Sequence, residues 1–336
     1  MASQRQSNPL SRDDYVIGWI SALTIESAAA VLMLDEEHGN LSIAQGDTNT
    51  YALGRIGTHN VVMACMNQAG GVPANTVATN LMKSFRNVRY VLMVGIGGGI
   101  PSANYQIRLG DIVVSEPTGR SPGVVQSDLG KWEVDGFKVR GSLNRPAEGL
   151  IRAVGVVKRE ELLGRSEIHS FIRHLPRGAS GNSTWEYQGR NNDHVYRGDP
   201  VPRNNRACQQ CASQAPDPKV HYGIIAAGSQ VVANREKRDQ IGNRLGACCV
   251  EMESFGLMNN FPCLVIRGVS DYADGFKNDR WQGYASLTAA AYAKELLRRL
   301  PSSDVDNTPK KAAKLWTKEA VWLVNLPGMS SHLGNL

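Results

Sequence analysis

Long apolar runs are missing from this chain of 336 residues. The longest, such as Tyr90 to Ile100, fall short of the ~18 residues at which a membrane span is suspected, so no membrane partner is expected. The first residues, MASQRQSNPLSRDDY, are polar and lack the apolar core of a secretion signal, which places the chain in a reducing cytoplasm. Cysteine is scarce, at six residues. Cys65, Cys248, Cys249 and Cys263 lie inside apolar runs, where a thiol serves as a small hydrophobe. Cys208 and Cys211 form a CxxC, but a zinc site wants a second pair or histidines at ligand spacing, and His221 stands alone downstream. That pair reads as a surface turn, and neither metal nor cofactor is expected. Excess charge is also small: the formal balance is +6, no basic strip is interleaved with aromatics, and a nucleic-acid partner is not expected. What is present, 42% hydrophobic and 20% charged residues, buries a full core and excludes disordered and collagen-like classes. A soluble globular enzyme of one large domain or two small ones remains.

Short β-branched runs alternate with helical spacing, the signal of parallel strands joined by crossover helices. Strands are expected over Val16–Ile20, Asn60–Met66, Val88–Gly95, Asp111–Ser115, His221–Ala226, Ala247–Val250 and Pro262–Arg267. Helices are expected over Thr24–Leu34, Ala74–Phe85, Arg145–Arg159, Arg235–Leu245, Glu251–Asn259 and Ala285–Leu300. Runs such as VLMV and CLVI are apolar on both faces, so helices must cover both sides of the sheet. The fold class is therefore α/β, a three-layer α/β/α sandwich around a mixed, mostly parallel sheet. Residues 1–14 read as a disordered tail and 15–300 as the folded domain. Within it, 164–218 breaks the alternation and reads as an insertion or lid. Beyond Leu300, PSSDVDNTPKKAAK reads as a linker, followed by an amphipathic tail around Trp316 to Leu326.

Gly95, Gly97, Gly98 and Gly99 follow the strand ending at Val94, where open α/β sheets bind ligands. The spacing GIGGGIP is not the dinucleotide fingerprint, because Pro101 blocks the helix that must follow. A glycine turn that lets backbone approach a sugar or base fits better, and a tight turn without ligand stays open. Glu26, Glu251, Glu253 and Asp271 each stand at a strand end or helix start. Any one alone is explained as a helix cap or a first-turn acid. In CLVIRGVSDYADG, however, the strand delivers Arg267, Ser270 and Asp271 onto a loop near the glycines.

In these segments the chain resembles the nucleoside phosphorylase and nucleosidase superfamily, whose members cleave purine N-glycosidic bonds. VIGWISALTIE is similar to the family's opening strand and helix, VGIGGGI to its glycine turn and LGDIVVSE to its GDIVV segment. VEMES and VIRGVSDYADG resemble its VEME and V-x-R-x-x-S-D segments, in the same order. Among family members, the resemblance extends to methylthioadenosine/S-adenosylhomocysteine nucleosidases. It is greatest for the nucleoside phosphorylase-like domains of fungal NLR-like defence proteins.

The resemblance implies that Asp271 is the general acid for the departing purine and that Glu253 grips the ribose hydroxyls. It implies further that Met252 packs on the sugar, that Val231 and Val232 line the base, and that Ser270 and Arg267 orient Asp271. Gly97, Gly98 and Glu251 complete the expected substrate site. Glu26 stands where the family's nucleosidases have the glutamate that activates water, while the GDPxR segment of bacterial-type phosphorylases is absent. Met93 and Ile96 replace the Arg and Ser of the phosphorylase R-V-G-S turn. Hydrolysis of an adenine nucleoside or nucleotide is thus expected, with phosphorolysis or an inactive nucleotide-binding module as alternatives. Arginine is the fork that suits phosphate oxygens, so the stretch from Arg165 to Arg206, with Arg190 and Arg197, offers a triphosphate lid as well as a solvated loop. Self-association into a homo-oligomer is implied by the resemblance alone.

Overall fold

The computed structural model describes residues 10–66, 68–119, 121–134, 136–175, 184–189, 192–193 and 217–308. Its strands are β1 (Ile17–Ser21), β2 (Glu36–His38), β3 (Tyr51–Ile56), β4 (His59–Cys65), β5 (Tyr90–Gly99), β6 (Ile112–Ser115), β7 (Val124–Gln126), β8 (Gly130–Glu133), β9 (Gly136–Val139), β10 (Val220–Ala227), β11 (Ala247–Glu251) and β12 (Leu264–Asp271). The helices are α1 (Thr24–Leu32), α2 (Gly71–Ser84), α3 (Glu148–Leu162), α4 (Ile168–Arg173), α5 (Arg235–Leu245), α6 (Gln282–Arg299) and α7 (Ser302–Asp306).

The main sheet runs in the order β11-β10-β6-β12-β5-β1-β4-β3-β2, with β7 added beside β10. β1 pairs in parallel with β4 and β5, β5 with β12, and β10 with β6 and β11, whereas β12–β6, β3–β4 and β2–β3 are antiparallel. Successive side chains on a strand face opposite sides. Val91 and Met93 accordingly join Ala74, Val77, Ala78 and Leu81 of α2 in one core. Leu92 and Val94 join Ala29 and Ala30 of α1, Leu150 and Val157 of α3 and Leu296 of α6 in the other. The three-layer α/β/α sandwich follows, with a mixed, mostly parallel sheet.

The far end of β5 bends across and pairs antiparallel with β11, Gly98 opposite Val250 and Gly99 opposite Cys249. Since β11 also pairs with β10, the strands β11, β10, β6, β12 and β5 close on themselves. This closure corrects the expected glycine turn: Gly95 to Gly99 continue β5 as strand. None of these four glycines has a positive φ; they are needed for close approach. A Cβ at Gly95 would stand 2.3 Å from Glu26 Oε1 and 2.7 Å from Arg267 Nη1. At Gly97 it would meet Cys249 Sγ at 2.7 Å.

β12 likewise runs on to Asp271, so Ser270 and Asp271 sit on strand rather than on the expected loop. The expected helix over Glu251–Asn259 is instead the end of β11 and a 3-10 turn, Ser254–Gly256. α4 folds inside the stretch read as an insertion, with Ile168 buried in the second core. The expected linker also begins later, because α7 buries Val305 in that core and Arg152 Nη2 donates to Asp304 Oδ2 at 2.8 Å. Cys248, Cys249 and Cys263 are buried and Cys65 is half-buried, as core thiols should be. Cys208, Cys211, Arg190, Arg197 and residues 309–336 lie outside the described residues. Among the described residues no helix is long and apolar enough to cross a membrane.

Candidate active site

The C-terminal ends of β1, β5, β11 and β12 meet at a cavity of about 140 Å³. Glu26, Gly97, Gly98, Val231, Val232, Glu251, Met252, Glu253, Ser270 and Asp271 line it, so ten of the expected site residues come together. Arg267 stands immediately behind this wall, fully buried.

Glu26 is the third residue of α1, and its side chain folds back over the helix start. Its Oε2 accepts from the N–H of Ala22 at 2.7 Å and of Leu23 at 2.9 Å, while Oε1 accepts from the N–H of Ile96 on β5 at 2.7 Å. A helix cap explains the first two bonds. The third ties the helix to β5 and holds the carboxylate at the cavity. A carboxylate offers about four lone-pair sites, so three backbone donors leave one for a water or a hydroxyl. Burial raises the pKa of Glu26, against the opposing pull of Arg267 and the three N–H donors.

Arg267 departs from expectation. It does not orient Asp271; its Nη2 donates to Glu251 Oε2 and, at 2.9 Å, to Glu253 Oε2, and its Nη1 donates to Ile96 O at 3.3 Å. Strand geometry explains the difference, since Asp271 lies four residue steps beyond Arg267 along β12, a span of about 13 Å. Burial opposes the arginine's charge, but Glu251, Glu253 and Glu26 outweigh it and its pKa is raised. Glu251 is further fixed by the N–H of Glu253 at 3.1 Å and by the hydroxyl of Ser254 at 2.5 Å. One guanidinium therefore faces three buried carboxyls. Burial first, then the neighbouring charges of Glu251 and Glu26, push Glu253 up to about 7.

Asp271 is held differently. Oδ2 accepts from the Ser270 hydroxyl at 3.0 Å and lies 3.2 Å from Lys277 Nζ, and Oδ1 accepts from the N–H of Ala273 at 2.8 Å. The expected neighbour Ser270 thus stands within hydrogen-bond reach of Asp271. Lys277 and Gln282 also line the cavity and were not foreseen. Each stands beyond the turn that follows β12, and only the folded turn returns them to it. Val231 is 59% exposed and forms part of the rim, while Met252 is half-buried. Of the arginines between 164 and 218, Arg165 and Arg173 are described; both are exposed, outside the cavity, and Arg173 pairs with Asp217 at 3.1 Å.

The family model of the phosphorylase superfamily matches residues 21–150 and 168–300. An NLR-like protein of Hyaloscypha variabilis is 40% identical over 294 residues, covering 86% of this chain but only 30% of the relative. A 5′-methylthioadenosine/S-adenosylhomocysteine nucleosidase of Mycobacterium bovis is 24% identical over 74% of this chain and 84% of its own. An Escherichia coli protein named ATP nucleosidase Cap17 is 23% identical over 70% of this chain and 41% of its own. Among solved structures, the Helicobacter pylori methylthioadenosine nucleosidase variant with 5′-methylthioadenosine in its active site superposes with a TM-score of 0.56. It is 16% identical over 85% of this chain and 99% of its own. Futalosine hydrolase of the same organism gives 0.55 at 18% identity, over 86% of this chain and all of its own. With the family model covering most of its length and the sheet closed as described, the chain belongs to the phosphorylase superfamily.

Proposed function

We propose that the chain hydrolyses the N-glycosidic bond of an adenine nucleoside or nucleotide and releases adenine. The observation that carries the reading is the convergence of Glu26 and Asp271 on one cavity whose arginine is already committed to carboxylates. A phosphate nucleophile needs cations and donors. Here Glu26, Glu251 and Glu253 surround Arg267, and this negative field repels phosphate while favouring a sugar that gains positive charge. Such charge develops in the oxocarbenium-like transition state of glycosidic cleavage.

In the proposed reaction Asp271 protonates N7, or shares a proton with it, as the C1′–N9 bond breaks and its electron pair passes to the purine. An ionised carboxylate can also accept from a 6-amino group, which favours adenine. Water adds to C1′ and gives its proton to Glu26, whose raised pKa makes it a stronger base than a solvated carboxylate. Glu253 grips the ribose hydroxyls, Met252 packs on the sugar, and Val231 and Val232 line the base. The similarity to nucleosidases of Mycobacterium and Escherichia supports a nucleosidase reading.

Adenosine, methylthioadenosine and ATP, each incubated with the protein with and without phosphate, separate the possibilities by chromatography. Adenine released without phosphate is the expected result, and the substrate consumed identifies the 5′ group. Adenine released only with phosphate would establish phosphorolysis, and binding without release an inactive module.

A further inference from the structure

β12 ends at Asp271, and a tight turn follows. Ala273 has φ +50°, a left-handed conformation disfavoured for any residue that carries a Cβ. Its N–H is the donor to Asp271 Oδ1, so the conformation of this turn sets the direction of the Asp271 carboxylate. Strained backbone of this kind persists only where its surroundings hold it.

Tyr272, inside the turn, is held at both ends. Its backbone carbonyl accepts from Arg238 Nη1 of α5 at 2.9 Å. Its hydroxyl donates to Asp193 Oδ1 at 2.5 Å. Asp193 is 3% exposed and does not line the cavity, and burial raises its pKa. A buried carboxyl of this kind is costly unless its partners repay it. Asn192 and Tyr187 dock further along the chain, at the start of α6. Asn192 O accepts from Trp281 Nε1 at 3.1 Å, and Asn192 Oδ1 accepts from Arg280 Nη1 at 2.8 Å. The ring of Tyr187 meets Trp281 and Tyr284 edge-on, at 5.3 and 5.4 Å. Tyr187, Asn192 and Asp193, from the stretch that interrupts the α/β alternation, are thus fastened to the segment that leads from Asp271 through Lys277 to α6.

We propose that Asp193 is a positioning residue, which acts through the Tyr272 hydroxyl to hold the turn that aims Asp271 at the purine. The proposal rests on the hydrolytic reading above. Without the Asp193–Tyr272 bond the strained turn relaxes and the carboxylate swings; a displacement of about 1 Å costs up to ~100-fold in rate.

The test compares Tyr272→Phe, Asp193→Ala, their double variant and Asp193→Asn with the parent protein in kcat, KM and thermal midpoint. Tyr272→Phe keeps the ring and its packing and loses only the hydroxyl. Each single variant is expected to lower kcat by about 10- to 100-fold with little change in KM. The double variant should be no slower than the singles, and Asp193→Asn, which retains an acceptor oxygen, should recover most of the rate. An unchanged kcat in folded Tyr272→Phe, losses that multiply in the double variant, or losses that vanish on cooling and follow stability alone would each overturn the proposal. Should the parent release no adenine, the hydrolytic reading fails by itself and the latch is judged from adenine affinity. Weaker adenine binding by Tyr272→Phe would support it, and unchanged binding would refute it.

Discussion

At the scale of single residues, the proposed reaction places its heaviest chemical demand on Asp271, because a purine leaves as a neutral base only if it gains a proton. Asp271→Asn retains an acceptor for Ala273 N–H but cannot supply that proton. It should slow adenine release by about 10² to 10⁴-fold with the thermal midpoint little changed, a loss to be read from initial rates. Glu253 makes a pH prediction. Its native pKa is about 7 against an ordinary 4.5, so between those values the folded chain keeps a proton that the unfolded chain has lost. Stability through this group is therefore greatest below pH 4.5 and falls as pH rises through 7, by on the order of 3 kcal/mol. Urea unfolding across that range should show the slope, and Glu253→Gln should flatten it; equal slopes would remove Glu253 as its source. Most of these side chains were legible in the sequence because VEMES and VSDYADG carry residue types at fixed spacing. The partner of Arg267 was not, since the three strand residues between it and Asp271 leave the guanidinium beside the end of β11 instead.

At the scale of elements, α6 packs against β12 without room for a side chain at Gly268. A Cβ at Gly268 would lie 1.8 Å from Ala285 O, a backbone atom that can yield only if the helix moves. Gly268→Ala should destabilise by about 1–3 kcal/mol or more. Gly155 in α3 is exposed with nothing within 4 Å of the same position, and Gly155→Ala should stabilise by about 0.5–1 kcal/mol. Denaturant midpoints of the two variants check both signs. Element types followed from hydrophobic period where strands are apolar on both faces, as in β5 and β12, and where caps are explicit. α5 is capped at its start by Asn234, whose side chain accepts from Lys237 N–H, and at its end by Gly246 with φ +65°. The period failed at β5's glycines, where close approach of Glu26, not a turn, requires the missing Cβ. It failed also at β2, whose EEH is a largely exposed edge, and at β3 beside it, whose YALGRI lacks the continuous apolar run of central strands.

At the scale of the whole molecule, the sheet closes through β5 and β11, and that closure draws the ends of four strands around one cavity. The chain spans 30% of its Hyaloscypha relative, and the described fold ends at Thr308, whose hydroxyl lies 2.6 Å from that of Tyr90. Ending the chain at residue 300 rather than 308 uncovers the site of Val305 and should cost about 1.5–3 kcal/mol between the two truncations, measured by urea unfolding. Composition and period foretold three layers, but they could not foretell the closure, because pairing between β5 and β11 joins residues about 150 positions apart and leaves no local pattern.

The division of labour between Glu26 and Asp271 is tested most directly by the rate of adenine release from Glu26→Gln in phosphate-free buffer, below the unfolding temperature of variant and parent. Loss of about 10² to 10⁴-fold in turnover, with adenine still bound, is the result expected of a residue that takes the proton from water. Parental turnover in that variant would mean that water is activated elsewhere and that Glu26 only caps α1.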